Sequence, residues 1–175
     1  LHAEQVQGFY DIPFDHFGGY PQCVNYFKEN DYHDLVIAAP DVGAFGRGRR
    51  MAKLMEAPMV VMDKRRPSHN RAEVVRVIGN VEGKTAVIND DIIDTGGTIT
   101  SAAKALAEQG AKEIVLCATH ALLSGPAPER LEECPASKVL LLDTVPISEE
   151  KHIDKIQMLP LAPVLSHDVN ILFHR

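Results

Sequence analysis

The sequence has no surplus of positive charge, no long apolar run and few cysteines, and each deficit removes a class of function. A formal net charge of −6 disfavours a chain that grips nucleic acid or an anionic membrane. Its cations nevertheless gather at Arg47, Arg49 and Arg50 and at Lys64, Arg65 and Arg66, as suits small anions. No stretch reaches the ~18 apolar residues of a membrane helix, and no charged-then-apolar leader opens the chain, so neither a span nor a secretory signal is expected. The three cysteines, Cys23, Cys117 and Cys134, are odd in number and widely spaced. Free thiols in a reducing cytoplasm are therefore expected, rather than a disulfide framework or a metal knot. Repeats and low-complexity segments are absent too. The chain also lacks an initial Met and opens at Leu1-His2-Ala3, inside what reads as a motif, which predicts a piece of a longer protein.

What is present is 175 residues with 45% apolar content, enough for one sizeable core in a single domain. Apolar runs at residues 35–39, 59–62, 86–88, 114–119 and 139–142 read as strands, and residues 24–30, 49–56, 98–109 and 127–134 as helices. Residues 73–78 predict an added antiparallel strand, and residues 156–158 and 171–173 two further short ones. Residues 1–16 read as largely irregular. Gly43, Gly46 and Gly48 predict a flexible turn, and residues 63–70 a basic loop. Strands alternating with helices imply parallel βαβ units, hence an α/β fold with a doubly wound, mainly parallel sheet flanked by helices. Such sheets bind ligands at the carboxyl ends of their strands, which here would gather Asp41, Lys64, Asp90, Asp91, His120 and Asp143. His16, His33, His69, His152, His167 and His174 have no ligand spacing and read as structural or exposed.

The most informative stretch runs from Ala86 to Thr98. An apolar run ends at the adjacent carboxylates Asp90 and Asp91, and Asp94-Thr95-Gly96-Gly97-Thr98 opens into a helix whose apolar side is Ile99, Ala102, Ala103, Leu106 and Ala107, with Gly110 closing it. Glycines admit a ligand close to the backbone, and the free amides of a first helical turn carry partial positive charge, so Thr95 to Thr98 can hold a phosphate. Carboxylates would repel that phosphate. Asp90 and Asp91 must therefore face a sugar diol or a hydrated Mg²⁺, and a phosphorylated sugar offers a group to each half.

This stretch resembles the ribose-phosphate-binding motif of the type I phosphoribosyltransferase fold. Three others narrow the likeness: residues 1–13 (LHAEQVQGFYDIP), Pro40-Asp41-Val42-Gly43 with Arg47 and Arg49, and Asp63-Lys64-Arg65-Arg66-Pro67. Together they resemble the C-terminal half of the ribose-phosphate pyrophosphokinase family, whose N-terminal domain has no counterpart in this sequence. The resemblance implies transfer of a diphosphoryl group from Mg-ATP to the anomeric hydroxyl of ribose 5-phosphate, giving phosphoribosyl pyrophosphate and AMP. It implies that His2 and Asp41 hold Mg²⁺, that Lys64 and Arg66 are the catalytic cations, that Asp90 and Asp91 meet the ribose hydroxyls or their metal, and that Asp94, Thr95, Gly96, Gly97 and Thr98 take the 5-phosphate. It further implies a homo-oligomer and little activity in the chain alone. A phosphoribosyltransferase consuming phosphoribosyl pyrophosphate, or a non-catalytic synthetase-like regulatory subunit, are the alternatives. Three departures stand out: Ala44 follows Gly43 where a second glycine is usual, Asn89 replaces an aliphatic residue, and residues 166–170 are too few for the helix expected before a final strand.

Overall fold

The computed structural model describes His2, residues 4–65 and residues 74–174. Its strands are the β-branched, apolar segments: β1 (Leu35–Ala39), β2 (Met59–Arg65), β3 (Val74–Ile78), β4 (Thr85–Ile93), β5 (Glu113–Ala121), β6 (Lys138–Leu142) and β7 (Ile156–Leu159). They hydrogen-bond in the order β3-β2-β1-β4-β5-β6-β7. Every described pairing is parallel except β2 with β3, so the expected antiparallel addition is present.

Alternation along the strands feeds two cores, because successive side chains leave opposite faces of a sheet. Val36, Ala38, Ala86 and Ile88 join Ile99, Ala102, Ala103 and Leu106 of α3 (Gly97–Glu108) and Leu131 of α4 (Ala127–Glu133). On the other face Ile37, Val87, Val115 and Leu140 meet Cys23, Val24 and Phe27 of α1 (Tyr20–Glu29) and Met51 of α2 (Phe45–Leu54). The sheet is thus covered on both sides, and the doubly wound fold expected from the sequence is the one found. Within the predicted α3 stripe, Ala107 is exposed and Ala105 is buried in its place. Truncating a fully enclosed member such as Leu106 to Ala would cost about 2–5 kcal/mol.

The topology locates the site. From β1 the chain crosses through α2 to β2, and from β4 it crosses through α3 to β5 on the opposite side, although β1 and β4 are direct neighbours. Their carboxyl ends diverge at this switch point and leave a crevice between Pro40-Asp41 and Asp90 to Asp94.

Several boundaries differ from the sequence reading. β4 does not stop at the carboxylates: Asp90 pairs with Ala118 and Ile92 with His120 of β5, so a long parallel neighbour overrides the turn-like composition. β2 runs on through Asp63, Lys64 and Arg65 because β3 supplies an antiparallel ladder, Lys64 opposite Val75 and Arg65 opposite Val74. The glycine-rich turn is already helical from Phe45. It is nucleated where Asp41 Oδ1 accepts the Ala44 amide (2.8 Å) and Val42 O accepts the Phe45 amide (3.3 Å). Gly48 belongs to packing, since a Cβ there would meet Met59 at 3.4 Å and Ala39 at 3.5 Å. Ala44 has φ −78°, so it occupies the second-glycine position without backbone strain. α1 begins at Tyr20, with a proline in its first turn, and residues 4–9 form a short 3-10 helix within the opening segment. The predicted strand at 171–173 is instead the end of α5 (Ala162–Phe173). A contiguous apolar triplet fits either element, and with no glycine and no later proline to break it, the first turn at Ala162-Pro163 propagates to Phe173.

Candidate active site

Two clefts open at the switch point and share one wall. The larger, 620 Å³, is lined by Asp41, Gly43 and the run from Ile92 to Ile99; the smaller, 370 Å³, by His16, Tyr20, Arg50, Asn89, Thr119 and His120. His2, Arg47, Asp90 and Asp91 border both. The expected gathering at the strand ends is therefore found for Asp41, Asp90, Asp91 and His120. Asp143 is absent from both linings; its Oδ1 accepts the Leu161 amide at 2.8 Å. His16, read as structural or exposed, borders the smaller cleft. Lys64 sits near the carboxyl end of β2 by its backbone, and Arg66 lies outside the described residues.

The shared wall is electrostatically tight. Arg47 Nη2 donates to Asp90 Oδ1 at 2.9 Å and meets Asp91 Oδ1 at 3.1 Å, with the three side chains 24%, 15% and 12% exposed. His2 Nδ1 lies 2.5 Å from Asp91 Oδ2, and the Asp91 amide donates to Asp90 Oδ1 at 2.9 Å. The two carboxylates respond oppositely. Burial, followed by the bond from its neighbouring acid, pushes Asp90 up to about 6 despite Arg47. Burial acts on Asp91 in the same sense, but hydrogen bonds from Asp90 and His2 and the charge of Arg47 outweigh it and hold its carboxyl below the usual value. Asp91 is thus a fixed anion and Asp90 a titrating one. The Nε of Arg47 is buried and has no partner among the described residues, a cost that marks this guanidinium as placed for something other than packing.

Beyond the shared wall and Asp41, the larger cleft is bordered by the turn from Asp94 to Thr98 at the start of α3. Gly96 adopts φ +75°, the left-handed conformation that a Cβ disfavours. Its carbonyl accepts both the Thr100 amide (3.1 Å) and Thr100 Oγ1 (2.8 Å), tying the turn to α3. Asp94, Thr95, Gly96, Gly97 and Thr98 all line this cleft, so the residues expected around a phosphate are brought together at a helix start.

In the smaller cleft the polar groups are side chains. Thr144 Oγ1 donates its one proton to Thr119 O at 2.6 Å, so it can only accept from His120 Nδ1 at 2.9 Å. The ring proton is thereby assigned to Nδ1, which leaves Nε2 as an acceptor. Burial lowers the His120 pKa, partly offset by Asp91, and favours that neutral form. Arg47 stood out in the sequence as part of a basic cluster suited to small anions but was given no place beside the acids, and Arg130 was missed altogether. Nothing in the local sequence points to Arg130, which reaches Thr95 O at 2.9 Å from α4.

Comparison with known proteins adds the family context. The profile of the family described as phosphoribosyl synthetase-associated domain matches residues 29–175. The ribose-phosphate pyrophosphokinase of Oceanobacillus iheyensis is 47% identical over 169 residues, covering 97% of this chain and 53% of the relative. That of Bacillus caldolyticus is 47% identical over 173 residues, covering 99% and 55%. The chain thus spans about half the length of the curated relatives it matches. Among solved structures, phosphoribosylpyrophosphate synthetase from Mycobacterium smegmatis superposes with a TM-score of 0.85 at 38% identity, over 99% of this chain and 57% of that one. An adenine phosphoribosyltransferase from Giardia lamblia shares the fold, at a TM-score of 0.57 and 14% identity over 70% of this chain and 75% of that one.

Proposed function

The chain belongs to the phosphoribosyl synthetase-associated domain family, and from that premise we propose that it carries the ribose 5-phosphate part of a ribose-phosphate pyrophosphokinase site. The observation that supports this reading best is the wall shared by the two clefts. A backbone cradle suited to a phosphate lies on one side of Asp90 and Asp91, and a side-chain-lined cleft suited to a second substrate lies on the other.

In the proposed reaction the 5-phosphate occupies the turn from Asp94 to Thr98, and the sugar hydroxyls donate to Asp90 and Asp91. The anomeric oxygen then forms a bond to the β-phosphorus of ATP. The bond from that phosphorus to the α–β bridging oxygen breaks, AMP leaves, and the hydroxyl proton is released. Little covalent chemistry falls to the protein, so its task is alignment and neutralisation of charge. Arg47, released from the acids as the hydroxyls arrive, is suited to meet the incoming diphosphoryl group, together with Lys64 and Arg66. Asp41 offers the carboxylate oxygen that magnesium prefers, and His2 would meet the ion through its water shell, the rest of which phosphate oxygens and water would complete. Among the described residues no group of three or more His, Cys, Asp or Glu forms a closed set, and Asp41 and His2, which both line the larger cleft, would hold the ion. When bound it would supply positive charge to the phosphoryl oxygens. No described helix is long and apolar enough to cross a membrane. A cytoplasmic setting and assembly into a homo-oligomer are part of the same proposal.

Titration calorimetry with ribose 5-phosphate tests the reading. Binding is expected to the chain and to be lost in Asp91→Ala, while ribose without its phosphate binds at least about tenfold more weakly. Equal affinity for ribose and ribose 5-phosphate would remove the phosphate cradle from the account.

A further inference from the structure

We infer that Arg130 is a positioning residue for the phosphate-binding turn, setting the direction of an amide it never has to touch; the inference rests on the ribose 5-phosphate reading of the larger cleft. Three successive carbonyls, beginning with the last residue of β4, are all engaged by one neighbouring segment. The Leu122 and Leu123 amides donate to Ile93 O (3.0 and 3.1 Å), the Ser124 amide donates to Asp94 O (2.9 Å), and Arg130 Nη1 donates to Thr95 O (2.9 Å). All four donors come from the segment that follows β5.

A trans peptide is planar and holds its carbonyl and the next residue's N–H on opposite sides, and the described residues include no cis bond. Anchoring Ile93 O, Asp94 O and Thr95 O to the β5–α4 segment therefore turns the amides of Asp94, Thr95 and Gly96 away from it. Among the described residues none of these three amides donates to another protein group. Consecutive amides pointing one way form a concave anion site, and these border the larger cleft.

The first two anchors are backbone amides, inherent in the loop. The third is a side chain, and it acts at the critical peptide. Thr95–Gly96 is the peptide that leads into a residue at φ +75°, and a glycine there can rotate at little cost. Arg130 comes from a rigid base: Ala127 and Leu131 of the same helix are fully buried in the α3-side core. Its guanidinium also lies beside the turn, 3.5 Å from where a Cβ on Gly97 would stand, so it reinforces the local positive potential.

The test compares the 175-residue chain with its Arg130→Ala and Arg130→Lys variants in two measurements. In the ligand-free proteins, the Gly96 amide resonance and its exchange with solvent are expected to shift in Arg130→Ala and to return most of the way in Arg130→Lys. In calorimetry, ribose 5-phosphate affinity is expected to fall about tenfold in Arg130→Ala, with the thermal midpoint nearly unchanged because Arg130 is exposed. An unmoved Gly96 amide in Arg130→Ala overturns the positioning role, whatever happens to affinity. A moved amide with undiminished affinity also overturns it. If the parent chain binds no ribose 5-phosphate, the reading of the cleft falls, and the Gly96 amide still decides whether Arg130 orients the turn.

Discussion

The two clefts on either side of Asp90 and Asp91 are built by opposite means. The larger presents main-chain amides at a helix start, fixed by hydrogen bonds to a neighbouring loop and by the conformation of Gly96. The smaller presents His16, Arg50 and His120 from three separate elements. A backbone site is rigid and tolerant of neighbouring side chains, and suits a group that every substrate carries, such as a phosphate. A side-chain site is adjustable residue by residue, and suits the partner whose identity must be read. Arg47, His2 and the two acids belong to both, so changes there should disturb both clefts, whereas changes beyond them should separate the two.

The largest effect is expected at the shared wall. Arg47→Ala leaves two partly buried carboxylates without their common cation, and urea denaturation should show a loss of about 2–3 kcal/mol, with ligand binding reduced in both clefts. Next is Gly96→Ala, where the added Cβ meets Ala127 only at 3.6–3.7 Å, so the penalty is conformational. About 1–2 kcal/mol is expected, and ribose 5-phosphate affinity should fall while ATP affinity holds. Equal losses for both ligands would mean that the clefts are not separable.

A pH series sharpens the contrast within the wall. Because Asp90 titrates at about 6 when folded, against the ordinary 3.8, the native state holds its proton longer than the unfolded chain. Stability from this group is therefore lost as pH rises from near 4 to near 6. Asp90→Asn removes that loss, so its stability relative to the parent chain should improve by about 1 kcal/mol between pH 4 and pH 7, read from urea midpoints. Asp91, held below its usual value, acts in the opposite sense and weakens the fold only as pH falls through that lowered value. The smallest effect is expected at His120. His120→Asn keeps a donor for Thr144 and removes the Nε2 acceptor, so ATP affinity should drop about two- to fivefold, with ribose 5-phosphate binding unchanged.

The strand cores, the antiparallel addition, most of the α3 stripe and the turn from Asp94 to Thr98 that opens α3 were legible in the sequence because each is a local pattern. Alternating or continuous apolar runs must be buried, and glycines before an amphipathic helix leave amides free whatever surrounds them. Asp90 and Asp91 were legible as a pair, but not as a strand, because β4 runs through them only when β5 is alongside. Likewise residues 171–173 are apolar enough for either element, and α5 emerges only from the continuity of the chain that follows β7.

The sequence by itself therefore determined the layered α/β fold and the presence of a glycine-containing turn at a helix start beside two acids. Only the tertiary structure decided which acid is held ionised and which titrates, since Arg47 and His2 reach them from 43 and 89 residues away. It alone decided that His120 keeps its proton on Nδ1, through Thr144 on the segment after β6. And it alone decided that the carbonyls of Ile93, Asp94 and Thr95 are bonded from beyond β5, by the amides of Leu122, Leu123 and Ser124 and by Arg130. These are properties of pairs distant in sequence, and hydrogen bonds and charges act through space, where no local spacing records them.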